Sequence, residues 1–146
     1  RLEVVFWVDA EQPEEVVRVA QAGLAVEPED PQLLYLYGLA SIFLERHQEA
    51  IGILEAALRS GSRAGDIQLY LGTAHDRLGH VDGALAAYDA YTRTHPDDLR
   101  GVAAAAWMLY QAGDCGRAAP MLINLVERGH GRDPRVREAR QACSAP

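Results

Sequence analysis

The sequence repeats itself every 34 residues. Slid by that distance, Gly38 falls on Gly72 and then on Ala106, and Ala50 falls on Ala84 and Ala118. Leu54 likewise meets Tyr88 and Leu122, and Ala57 meets Tyr91 and Leu125. Two small residues twelve apart, recurring three times at one spacing, define a unit. A fixed period of roughly 20–50 residues marks stacked supersecondary units that bury their apolar faces on one another.

Within each period the pattern is helical. In 33–44, Leu33, Leu34, Tyr37, Leu39 and Leu44 mix with Gly38, Ala40 and Ser41 at three- and four-residue steps. Residues 50–58 repeat this with Ala50, Leu54, Ala57 and Leu58. Glu45-Arg46-His47-Gln48 separates the two helices. The second period breaks at Leu78-Gly79-His80, where glycine can close one helix. The third breaks at Gly113-Asp114, with Asp114 as an N-cap. Gly61-Ser62, His95-Pro96-Asp97-Asp98 and Gly129-His130-Gly131 end the periods. Each period reads as a helix A, a tight turn and an antiparallel helix B. The small residues let A and B approach closely at their crossing. Gly72 and Ala84 hold these positions in the second pair.

On these residues the chain resembles the tetratricopeptide repeat family, whose pattern runs W-x2-L-G-x2-Y, A-x3-F and P. The second repeat matches best, with Leu71-Gly72, Ala84, Tyr88 and Pro96; Gln68 and His75 depart from it. The first has Leu34, Tyr37-Gly38, Ala50 and Leu54, and the third Val102, Ala105-Ala106, Leu109, Ala118 and Leu122. The resemblance implies an all-α right-handed superhelix of antiparallel helix pairs. It places repeats at 31–64, 65–98 and 99–132, after an N-terminal segment and partial repeat over 1–30. Residues 12–26 continue the register as a helix B, with Pro13 in its first turn. Residues 133–146 supply an Arg-rich capping helix, such as solenoids use to stay soluble. Segment 1–10 is β-branched like a strand but sits in the register of a helix A, and a lone strand would lack a partner.

One deviation stands out. Pro120 lies inside the last helix B, where its ring crowds the carbonyl of Gly116 and one hydrogen bond is lost. The helix is therefore expected to start late, near Arg117, or to kink.

Charge and composition narrow the function. The net charge is −7, which disfavours nucleic acid as a partner. Residues 1–30 carry eight acids against two arginines, whereas 127–146 carry five arginines against three acids. This asymmetry allows electrostatic self-association as well as two solvated ends. The longest apolar run, 102–110, is far short of the roughly 20 residues of a membrane span, so no insertion is expected. The chain opens on Arg1 with no visible leader, which suggests a trimmed chain. Cys115 and Cys143 are too few for a disulfide framework and lack metal spacing. They are read as reduced thiols, which favours a cytoplasmic setting, with a periplasmic one as the alternative.

No catalytic constellation is visible. His47, His75, His80, His95 and His130 include no i, i+4 pair and no HExxH. His75 reads as a packed histidine, and His95 and His130 as partners of helix C-terminal carbonyls. Phosphate-binding glycine loops and nucleophile elbows are missing. Asp97-Asp98 precedes a helix and reads as a cap. No cofactor, metal or enzymatic activity is expected.

Function is then expected in surface recognition. In the family's superhelix, helices A line the concave face. The inward positions are Tyr35, Leu39, Ile42 and Phe43 in the first repeat, and Asp66, Leu69, Thr73, Asp76 and Arg77 in the second. In the third they are Arg100, Ala103, Trp107, Tyr110 and Gln111. Trp, Tyr and Arg are the residues enriched in binding hot spots. The expected ligand is a peptide or helix of another protein with apolar anchors. A chaperone's carboxylate clamp fits poorly, because Tyr35, Leu39, Tyr70, Arg100 and Ala104 hold its places and only Arg100 can grip a carboxylate. Rival readings are a small acidic chaperone of type III secretion, and a scaffold that assembles with itself.

Overall fold

A computed structural model describes residues 12–144. The described residues form helices α1 (Pro13–Val26), α2 (Pro31–Phe43), α3 (His47–Arg59), α4 (Ile67–Arg77), α5 (Val81–Thr94), α6 (Arg100–Gln111), α7 (Cys115–Leu125) and α8 (Pro134–Cys143). A short π-helical turn, Val126–His130, follows α7. No strand occurs among the described residues. Segment 1–10, the ambiguous part of the sequence, lies outside them. The chain divides into two compact units, one holding α1–α4 and the other α5–α8, with the boundary between Gly79 and His80.

Local chemistry sets where helices start. Asp30 accepts from the backbone N–H groups of Gln32 (2.9 Å) and Leu33 (3.1 Å), and Pro31 opens α2. Asp133 does the same for Arg135 at 2.9 Å, ahead of Pro134. These side chains satisfy donors that a first turn leaves without partners. The turns from α2 to α3, α4 to α5 and α6 to α7 share one backbone device. Glu45, Gly79 and Gly113, each 34 residues from the next, have φ of 61°, 76° and 80°. Within each unit, a left-handed residue just past α2 or α6 lets the chain fold back, and the N–H of Arg46 then reaches Ser41 O at 2.8 Å. The N–H of Asp114 reaches Leu109 O at the same distance.

In the first unit, α1 packs on α2, α2 on α3, and α3 on α4. Its core includes Val16 and Ala20 of α1, Leu36 and Ala40 of α2, Leu54 and Ala57 of α3, and Leu71 of α4. Gly38 of α2 faces the Leu54 side chain of α3. A Cβ there would sit 2.5 Å from Leu54 Cδ2, closer than real atoms approach. The small residue that marks the 34-residue register thus admits the large one that marks it sixteen residues later.

In the second unit, α6 packs between α5 and α7, and α8 closes over α6 and α7. Leu99, Leu109, Leu122, Leu125, Val136 and Ala139 form its core. Gly72 and Ala84, the small positions of the second repeat, are both buried, each in its own unit.

Two expectations are corrected here. The cysteines are not free thiols: Cys115, at the start of α7, and Cys143, at the end of α8, form a disulfide with a Cα separation of 5.1 Å. The antiparallel return of α8 along α7 brings together residues 28 apart in sequence. Helix α7 also does not wait for Arg117. It begins at Cys115 because the Asp114 side chain accepts from Arg117 N at 3.0 Å and secures the first turn. Pro120 lies inside the helix, where it and Gly116 are both exposed. The Gly116 carbonyl that loses its proline partner can be hydrated instead.

Candidate functional site

The residues proposed for recognition divide between the two units. In the first, the Tyr35 hydroxyl donates to Asp66 Oδ1 at 2.7 Å. This bond ties α2 to the residue before α4. Burial, then the Asp66 hydrogen bond, pushes the Tyr35 phenol far above its ordinary pKa. Tyr35 and Ile42 are half-buried, and Phe43 is 60% exposed at the end of α2. Leu39 requires correction, because it is only 6% exposed and belongs to the core. Helix α2 meets α1, α3 and α4, so few of its positions remain open. On α4, Leu69, Thr73 and Asp76 are half-buried and Arg77 is exposed. The Thr73 hydroxyl donates back to Leu69 O at 3.0 Å.

The second unit holds the denser arrangement. Trp107 and Tyr110 of α6 are half-buried, with ring centroids 5.2 Å apart. Arg135, from the first turn of α8, lies over the Trp107 ring at 5.4 Å from its centroid. Such a contact is favoured because the ring face carries the negative end of its quadrupole. Burial and the neighbouring Glu138 raise the Tyr110 phenol pKa. Gln111 is exposed at the end of α6. Arg100, Ala103, Ala104, Trp107, Arg135 and Val136 border a cavity of about 210 Å3. That is below the roughly 300–1,000 Å3 of small-molecule sites and suits a single side chain.

Arg100 is not a free clamp. Its Nη2 donates to Asp98 Oδ2 at 2.8 Å and to the Tyr91 hydroxyl at 3.0 Å. Tyr91 donates to the same Asp98 oxygen. The Arg100 guanidinium, then the Tyr91 hydroxyl, hold the Asp98 carboxyl well below the usual range. Asp98 also accepts from Arg100 N at 3.0 Å, so the capping role read from Asp97-Asp98 falls to Asp98. His95 stacks on Tyr91 with centroids 4.4 Å apart, and its Nδ1 lies 3.2 Å from Tyr91 O.

Sequence reasoning missed two features. The cap reads in the sequence only as an Arg-rich helix, and nothing local indicates that Arg135 turns over Trp107. A second groove, of about 500 Å3, opens between α7 and α8 and is bordered by Leu122, Ile123, Arg137, Arg140 and Cys143. The three-residue spacing of Arg137 and Arg140 was its available signal.

Helices that alternate with a 34-residue sequence period define a helical repeat protein. The chain belongs to the tetratricopeptide repeat family, whose profile matches residues 8–64 and 42–98. Three solved structures share the fold. YrrB, described as a TPR protein with an unusual peptide-binding site, is 17% identical at a TM-score of 0.78, over 96% of this chain and 80% of its own. A tetratricopeptide repeat protein from Parabacteroides merdae is 17% identical at 0.79, over 97% of this chain and 56% of its own. MamA of AMB-1 is 19% identical at 0.75, over 85% of this chain and 73% of its own. No curated protein matches the sequence. Proteins of this family are generally non-catalytic interaction modules, and the fold supports that role for this chain.

Proposed function

We propose that the chain binds a segment of another protein, and that the Trp107 face of the second unit takes its apolar anchor. The observation that carries this reading is the cavity of about 210 Å3 bordered by Trp107, Arg100 and Arg135. It offers an aromatic wall and two guanidinium groups. Arg100 is oriented by Asp98 and Tyr91. Arg135 has no ion pair among the described residues, so its donors can meet a carboxylate of the bound segment. A peptide-binding site in YrrB, a structure of the same fold, is consistent with this use. The preferred segment is an apolar side chain beside an acidic one. The Cys115–Cys143 disulfide supports an oxidising compartment as the place of work.

The test is selection from a random displayed-peptide library, followed by titration of the selected peptides. Peptides that pair an apolar residue with an acid, and that lose about 2 kcal/mol of binding on Trp107→Ala, support the reading. Selected peptides that bind Trp107→Ala and Arg135→Gln as well as the parent protein overturn it.

A further inference from the structure

The groove between α7 and α8 has a second kind of chemistry. Its floor is apolar, with Leu122 buried and Ile123 55% exposed. Arg137 and Arg140 stand on its α8 side, three residues apart and both exposed. Neither guanidinium has an acidic partner among the described residues. An exposed isoleucine beside two arginines fits a segment that brings an apolar side chain flanked by carboxylates.

This chain carries such a segment. Residues 25–29, Ala-Val-Glu-Pro-Glu, are all exposed where α1 ends, and Val26 is 81% exposed. Pro28, between Glu27 and Glu29, restricts the backbone there and lowers the entropy lost on docking. The charge distribution points the same way. Residues 1–79 hold thirteen acids and six arginines and carry the whole net charge of −7, whereas 80–146 hold eight of each. An acidic unit is thus drawn toward an arginine-lined groove.

We propose that the α7–α8 groove docks the Val26–Glu29 segment of a second copy of this chain. Val26 covers Ile123, and Glu29 meets the Arg137 and Arg140 pair. Each copy offers both surfaces, so the contact can be repeated from copy to copy. It uses neither Trp107 nor Arg135, so it stands or falls separately from the peptide-binding reading.

Sedimentation velocity over a concentration series, at low and high salt, tests the proposal. The parent protein should form larger species as concentration rises, and salt should weaken them by screening. Arg137→Glu with Arg140→Glu should abolish association, as should Glu29→Arg, with circular dichroism confirming that both variants remain folded. All three changes in one chain should restore it, because the charges are then exchanged rather than lost. A monomer at every concentration in low salt would overturn the proposal. So would association that ignores both charge reversals, or a threefold exchange that stays monomeric while folded. A monomer that captures an unrelated acidic peptide through Arg137 and Arg140 would assign the groove to another protein instead.

Discussion

Arg135 lies over the Trp107 ring, 5.4 Å from its centroid, and joins the first turn of α8 to α6. A cation–π contact of this kind is worth about 0.5–1 kcal/mol at an exposed site. Arg135→Gln should therefore destabilise the chain by about that amount in urea titrations. Trp107→Ala should cost more, since Trp107 also packs against the core of its unit. A double-mutant cycle should return a coupling near the cation–π value. A coupling of zero would show that the two side chains do not sense one another in solution.

Reduction of Cys115–Cys143 should lower stability by about 2–4 kcal/mol, because the cross-link closes a long loop of the unfolded chain. Thermal unfolding with and without a reductant measures this directly. Cys143→Ser should reproduce the reduced curve and respond no further to reductant. An equal melting temperature in both redox states would count against the bond.

The Asp98 network makes stability fall in acid. The folded-state pKa of Asp98 is depressed below its ordinary value of 3.8. The unfolded chain therefore binds the proton more readily. The stabilisation is complete above the ordinary value and is lost as pH falls through the folded-state value. Asp98→Asn should be less stable than the parent at neutral pH and should lose less stability on acidification. Parallel stability curves for the two proteins below pH 3.8 would contradict this reading.

The Gly38 crossing should tolerate no added carbon. Gly38→Ala should cost roughly 1–3 kcal/mol by overpacking against Leu54. Leu54→Ala should cost roughly 2–5 kcal/mol alone and less in the Gly38→Ala background, since each change relieves the other. Additive losses would mean that α2 and α3 separate freely at this point.

Glu45 occupies a left-handed backbone position that glycine holds at residues 79 and 113. A side chain there costs roughly 1–2 kcal/mol, partly offset by the lower entropy of the unfolded chain. Glu45→Gly should accordingly leave the melting temperature unchanged or raise it. A clear fall would show that the Glu45 side chain makes a contact stronger than its backbone strain.

The helices were legible because their signals are local. Apolar residues at three- and four-residue steps, Asp30 before Pro31, Asp133 before Pro134, and Gly79 or Gly113 after a helix each act within a turn of the chain. The small residues at Gly38 and Ala50 were legible because their 34-residue recurrence shows that a neighbour must come close. The candidate site was harder to read. Leu39 looked like a groove residue from its place in the repeat, but α2 has helices on several sides. Tyr35 and Arg100 looked available, but Asp66 engages the first and Asp98 the second. Pro120 looked like a late helix start, but the Asp114 cap secures Cys115 as the first residue.

Periodicity and capping follow from the geometry of a single helix, so the order of residues was enough to place α1 through α8, and the 34-residue spacing to place them in one family. Burial and pairing depend on which distant helix arrives over a given face. Only the return of α8 along α6 and α7 joins Cys115 to Cys143, sets Arg135 on Trp107 and leaves Ile123 open between α7 and α8. Cys115–Cys143 and Trp107–Arg135 each span 28 residues, beyond the reach of any helix-length pattern, and come from packing the second unit around its own core.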